Sequence, residues 1–148
     1  MQIRKAGPAD LGRIAPLFDA YRQFYGKPPD LERARAFLRE RLERSESVIF
    51  LAEDEGRALG FVQLFPSFTS VEARGLWVLN DLFVAADARG LGVGRALMNA
   101  AREHAIRTGA KRLTLETMDD NPTAWKLYES LGYVRSAADV RYYTLELE

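Results

Sequence analysis

The chain has no cysteine and a single histidine among its 148 residues. The first absence removes disulfides, thiolate metal sites and thiol nucleophiles together, and the second removes a histidine-built metal cluster. No metal is therefore expected. Neither sign of charge is in excess, with 21 Lys plus Arg against 21 Asp plus Glu. The overall field thus gives no reason to expect nucleic-acid or membrane binding. Long apolar runs are missing too: none approaches the ~18 residues of a membrane span. Met1 to Lys5 lack the apolar core of a signal peptide, so a cytoplasmic location is expected. No internal repeat or low-complexity tract is present, and the length suits a single domain over residues 1–148 that buries about 68–70% of its unfolded surface.

What the chain does have is an unusual concentration of glycine. Arg89-Gly90-Leu91-Gly92-Val93-Gly94-Arg95 sets three glycines at alternate positions, directly after the apolar run 78–84 and directly before a helical pattern. Strand, glycine-rich turn and helix in that order form an anion cradle. Glycine lets the backbone approach a ligand closely, and the first-turn amides of a helix favour phosphate. The spacing excludes two other phosphate loops. A G-x-G-x-x-G fingerprint would need glycine where Arg95 or Leu97 stands, and no Gly-Lys-Ser/Thr follows for a Walker A loop. What remains is Arg-x-x-Gly-x-Gly, carried by Arg89, Gly92 and Gly94; a ligand-free tight turn is the competing reading of these glycines.

Hydrophobic periodicity orders the rest. A first strand at 3–5 precedes Asp10, a candidate N-cap, and a helix to about Tyr25 with Leu11, Ile14, Leu17, Phe18, Tyr21 and Phe24 or Tyr25 inward. After Gly26-Lys27-Pro28-Pro29, Asp30 caps a second helix to about Glu43, with Leu31, Ala34, Phe37, Leu38 and Leu42 on the buried stripe; its dense charges form a solvated face. Strands at 48–53 and 59–65 flank the hairpin signal Asp54-Glu55-Gly56-Arg57, and 76–84 follow after a looser connection from Pro66 to Gly75. The helix 95–107, a strand at 113–117, a helix at 122–130 and strands at 133–136 and 141–146 complete the order β-α-α-β-β-β-α-β-α-β-β. His104 lies mid-helix, about three turns beyond the glycines, where a histidine is usually packed or solvated.

A second motif, Asn121-x-x-Ala124-x-x-Leu127-Tyr128-x-x-x-Gly132-Tyr133, lies about thirty residues after the glycine run. With Arg-x-x-Gly-x-Gly and Asn80-Asp81-Leu82-Phe83-Val84, it makes residues 80–133 resemble the GNAT superfamily, the GCN5-related N-acetyltransferases. The look is closest to the branch of spermidine/spermine, thialysine and yeast histone/polyamine acetyltransferases. The resemblance implies an α/β (α+β) GNAT fold: a mixed, mostly antiparallel six- to seven-stranded sheet with helices on both faces. It also implies an acetyl-coenzyme A dependent transfer to a primary amine in a ternary complex.

On that resemblance the backbone of Leu82, Phe83 and Val84 pairs with the pantetheine arm. The amides of Gly90, Leu91, Gly92, Val93, Gly94 and Arg95 hold the pyrophosphate, with Arg89 or Arg95 adding charge. Asn121 bonds the pantetheine arm or caps its own helix, and Ala124 lines the same segment. Tyr128 is the candidate general acid. The base is open: relatives that acetylate polyamines often carry glutamate where this chain has Asn80, and asparagine takes no proton. Asp81 and Glu116 are the substitutes, although strand alternation points Asp81 away from the face of Asn80. A water chain to bulk is an equal alternative, with Asn80 orienting the water or the amine. Tyr21, Phe24 and Tyr25 form an aromatic lip suited to an aliphatic ammonium group. A small polyamine-like or amino-acid-like acceptor is the leading reading; a peptide or protein lysine, an antibiotic amine, a non-catalytic acyl-coenzyme A sensor and an unrelated nucleotide-phosphate module are the alternatives. A homodimer is expected, with residues 142–147 contributing to its interface.

Overall fold

The computed structural model describes residues 1–136 and 139–148. Two compact units divide the chain, residues 1–116 and residues 117–148.

In the first unit, β1 (Gln2–Lys5), α1 (Leu11–Phe24), α2 (Leu31–Glu43), β2 (Val48–Asp54), β3 (Arg57–Thr69), β4 (Arg74–Val84), α3 (Val93–Arg107) and β5 (Leu113–Thr114) follow in sequence. The strands form one sheet in the order β1-β2-β3-β4-β5, antiparallel except for β4 and β5, which run parallel. The α3 connection supplies the crossover that a parallel pair requires. Strand alternation then sorts the side chains. Ile49, Leu51 and Phe61 join Ile14, Ala15, Leu17 and Phe18 of α1 and Ala34 and Leu38 of α2 in one core. Phe50 instead meets His104 of α3, with ring centroids 5.6 Å apart, so α3 covers the opposite face.

Several expectations are met by local chemistry. Asp30 caps α2, accepting from the Arg33 amide at 3.1 Å. The β2–β3 turn places Glu55 at φ 48° and Gly56 at φ 79°, the left-handed pair that a two-residue hairpin requires. Asp10 departs from its assigned role. It precedes α1 without capping it and instead accepts from the Gly7 amide at 2.8 Å and from the Arg4 and Arg13 guanidiniums. Leu31 and Phe37 are 43% and 38% exposed, so the buried stripe of α2 is narrower than its periodicity suggests.

The connection from Pro66 to Gly75 is mostly strand. β3 and β4 pair as far as Thr69 and Arg74, with Pro66 opposite Trp77. Proline is tolerated there because β2 ends opposite Leu64, which leaves that side of β3 as an edge.

The sheet has five strands among the described residues, not six or seven. β5 is two residues long, and residues 133–136 and 141–148 form no strand. Tyr142, Tyr143, Leu145 and Leu147 are each at least 80% exposed. Their alternation gives the segment a strand's capacity, but a strand exists only where a ladder partner is paired. The second unit holds α4 (Pro122–Ser130), which begins with proline in its first turn and is capped by Asn121.

Candidate active site

Three local features of the first unit converge on β4. The first is its bulge. The β3–β4 register passes from Gln63↔Asp81 to Leu64↔Leu79, so Asn80 is the extra residue. A bulge interrupts alternation, which corrects the expectation that Asp81 faces away from Asn80. The Asn80 Nδ2 donates to Asp81 Oδ1 at 3.0 Å.

The second feature is a buried polar chain ending at Asp81. Gln63 of β3 and Asp81 of β4 lie on the α1 face, continuing the alternation of Ile49, Leu51 and Phe61, and Ser47 stands immediately before β2. Ser47 Oγ donates to Gln63 Oε1 at 2.8 Å, and Gln63 Nε2 donates to Asp81 Oδ2 at 2.6 Å. All three are buried, whereas Asn80 is exposed. Burial pushes the Asp81 carboxyl above its ordinary range, opposed by hydrogen bonds from Gln63, Tyr21 and Asn80. A carboxylate that is both desolvated and hydrogen-bonded is a candidate proton acceptor. Gln63 and Ser47 were not among the residues singled out from sequence. The available signal was a lone glutamine inside the apolar run Phe61-Val62-Gln63-Leu64-Phe65.

The third feature is the glycine turn. β4 ends at Val84, and α3 begins at Val93 with Gly92 as its N-cap, at φ 81°; Gly90 has φ 79°. Both values are ones that side-chain-bearing residues rarely adopt, and a Cβ on either glycine would meet nothing within 4 Å. The turn is therefore open to a ligand beside the first amides of a fifteen-residue helix. Val93 is buried and anchors the turn, while Leu91 is 71% exposed. Gly94 is half-buried and Arg95 exposed. Arg89 turns back: its Nε donates to the Val84 carbonyl at 3.1 Å, and its guanidinium lies 5.5 Å from the centre of the Phe83 ring. Leu82, Phe83 and Val84 are half-buried, and the β4–β5 ladder covers only Trp77 and Val78. Beyond Val78, β4 is an edge among the described strands.

The aromatic lip divides. Tyr21 packs against Phe61 and Phe83, at 6.0 and 6.2 Å between ring centroids, and its hydroxyl donates to the Asn80 carbonyl at 3.4 Å. Phe24 and Tyr25 are 59% and 52% exposed and stack on each other edge to face. The structure thus gathers Tyr21, Asn80 and Asp81 at one point. Glu116, the other candidate base, is exposed past the end of β5. His104 sits between the Phe50 and Trp77 rings and away from this cluster, and burial lowers its pKa.

In the second unit, the Asn121 side chain accepts from the Ala124 amide at 3.4 Å, so it serves as the cap of α4. Ala124 and Tyr128 are half-buried on that helix, and the Tyr128 ring lies 6.2 Å from that of Tyr133. Among the described residues no group of three or more His, Cys, Asp or Glu side chains is arranged to hold a metal. No helix there is long and apolar enough to cross a membrane.

Comparison with known proteins agrees with this architecture. The family model described as "Acetyltransferase (GNAT) family" matches residues 14–133. An uncharacterized N-acetyltransferase, YhfO, of Bacillus subtilis is 48% identical over 96% of this chain and 95% of its own. A probable acetyltransferase of Haemophilus influenzae is 36% identical over 90% of both. The crystal structure of a probable acetyltransferase superimposes with a TM-score of 0.93 at 43% identity, covering 100% of this chain and 99% of the other.

Proposed function

Because the chain belongs to the GNAT family of acetyltransferases, we propose that it moves the acetyl group of acetyl-coenzyme A onto a small primary amine, polyamine-like or amino-acid-like, with Asp81 as the base. One observation carries the reading: the open glycine turn at the start of α3 lies directly after the β4 edge on which Asp81 is buried. The turn fits a pyrophosphate, which needs close backbone approach and helix amides, and the edge at Leu82, Phe83 and Val84 fits an extended pantetheine arm. When bound, acetyl-coenzyme A supplies the activated thioester.

The remaining chemistry falls to this chain. An aliphatic ammonium with a pKa near 10.4 is only about 0.04% neutral at pH 7, so a base must offset about 4–5 kcal/mol. Asp81 accepts that proton, directly or through one water, while Asn80 and Tyr21 orient the amine beside it. Phe24 and Tyr25 hold the aliphatic part of the acceptor. Tyr128, assigned through the family motif, protonates the departing thiolate. A tyrosine near pKa 10 gives up its proton to a thiolate near 8.5 at a cost of about 2 kcal/mol, so it assists without being indispensable.

The enzyme acts in the cytoplasm as a homodimer. Supporting the dimer is the exposure of Tyr142, Tyr143, Leu145 and Leu147, whose apolar area a second copy would remove from water.

Thiol release with acetyl-coenzyme A and a panel of polyamines, amino acids, lysine peptides and aminoglycosides tests the reading. Turnover is expected with the small amines. Asp81→Asn should lower kcat/KM by about 10²-fold or more, and Tyr128→Phe should lower kcat more than it raises KM for acetyl-coenzyme A. Tight binding of acetyl-coenzyme A with no turnover on any amine would instead mark a sensor.

A further inference from the structure

We propose that Gln63 and Ser47 are positioning residues for the transfer: through the chain Ser47–Gln63–Asp81 they fix the orientation of the Asp81 carboxylate and keep it ready to accept a proton. The inference rests on the reading of Asp81 as the base.

The argument begins with what a glutamine can do at this point. Its carboxamide has a donor end and an acceptor end, and the two exchange places by a half-turn about the last bond. If the acceptor end faced Asp81, two oxygens without protons would oppose each other in a buried site. The Asp81 carboxylate prevents this, because when ionised it only accepts, so Gln63 directs Nε2 at Asp81 Oδ2, 2.6 Å away; the Ser47 hydroxyl then satisfies the other end of the carboxamide by donating to Gln63 Oε1. A fixed N–H donor favours the charged carboxylate over the protonated one.

Geometry also divides the two carboxylate oxygens. Oδ2 is held by the buried Gln63, and Oδ1 faces the exposed Asn80. Gln63 holds the carboxylate from the inner side, while proton traffic has the outer one. The groups facing the carboxylate are Gln63 from β3, Tyr21 from α1 and Asn80 on β4 itself. Tyr21 is the titratable one of the three, and none of them is a carboxylate or a cation. A shift in the titration of Asp81 therefore reports on the polar chain.

The test is the pH dependence of kcat/KM for the best amine, with the carboxyl-carbon signal of Asp81 followed by NMR in ¹³C-aspartate-labelled protein and assigned with Asp81→Asn. Gln63→Leu should move the acid limb and the carboxyl midpoint upward together by about one unit, a roughly tenfold loss of kcat/KM on the acid side with the alkaline plateau nearly kept. Ser47→Ala, a milder change that remains informative if Gln63→Leu folds poorly, should move both in the same direction by less, and Ser47→Thr should restore them. A purely structural role would lower the melting temperature and leave limb and midpoint in place; that result overturns the proposal. If Asp81→Asn keeps the acid limb, the base reading has failed and the proposal with it. If Asp81→Asn abolishes the limb while Ser47→Ala and Gln63→Leu leave it unmoved, the base reading stands and this inference alone is wrong.

Discussion

Replacing Gly60 with alanine probes the contact on which the candidate site depends. Gly60 pairs with Val84 at the end of β4, and its backbone does not require glycine's conformational freedom. Space is what requires it. A Cβ at position 60 would lie 2.6 Å from the Phe83 carbonyl oxygen, 3.2 Å from the Val84 Cα and 3.3 Å from Leu97 Cδ1. Carbon and carbonyl oxygen settle at about 3.3 Å, so β4 must retreat by about 0.7 Å. The nearest obstacle is backbone, which no rotamer change can move aside. Overpacking of this kind costs about 2–3 kcal/mol, or about 4–12 °C in Tm for a chain of this length. Thermal unfolding by circular dichroism checks the figure, with Gly12→Ala as the control. Gly12 lies within α1, where an added Cβ meets nothing within 4 Å, and alanine there should be neutral or stabilising by about 0.5–1 kcal/mol. Because Leu82, Phe83 and Val84 move with the strand, KM for acetyl-coenzyme A should rise in Gly60→Ala. A Gly60→Ala protein melting within about 1 °C of wild type would refute the packing argument.

Two further predictions concern charge. Asp10 accepts from Arg4 at 2.6 and 3.0 Å, from Arg13 at 2.9 Å and from the Gly7 amide, and these bonds hold its carboxyl well below the ordinary range. Its stabilisation is therefore complete above about pH 4 and is lost as the pH falls toward its depressed folded-state pKa. Asp10→Asn should lower Tm by about 5–10 °C at pH 7 and flatten the acid dependence of unfolding below pH 4; an unchanged acid titration followed by circular dichroism would refute this. Asp81 has the opposite sign. Its pKa is raised in the folded state, chiefly by burial, so stability falls as the pH climbs from about 4 through that raised value. Asp81→Asn should accordingly keep or raise the neutral-pH Tm while activity collapses, and a marked loss of Tm at pH 7 with none at pH 4 would contradict the assignment.

The division between what could be read from the chain and what could not follows the range of the forces involved. The glycine turn is local: positive φ at Gly90 and Gly92 and the helix after them are dictated by a few consecutive residues, so the turn is legible from spacing alone. The helices were legible for the same reason, through caps and 3.6-residue periodicity. Failures occurred where a partner strand decides. Pro66 reads as a breaker unless one knows that β2 has already ended, and residues 141–146 alternate like a strand whether or not a ladder partner pairs with them. Asp81 is the instructive case. Alternation separates Asn80 from Asp81 by half a turn of the strand, and only the mismatch with β3, between Gln63 and Leu64, brings their side chains together. No local rule yields that bulge. Yet Gln63 carried a usable signal: a glutamine in a strand that is otherwise apolar must find a hydrogen-bond partner when buried, and the partner has to come from a neighbouring strand. Ser47 and Asp81 fill that requirement from β2's approach and from β4. A polar residue out of pattern thus points across the sheet to the group it serves, and here that group is the one carboxylate of the Tyr21, Asn80 and Asp81 cluster.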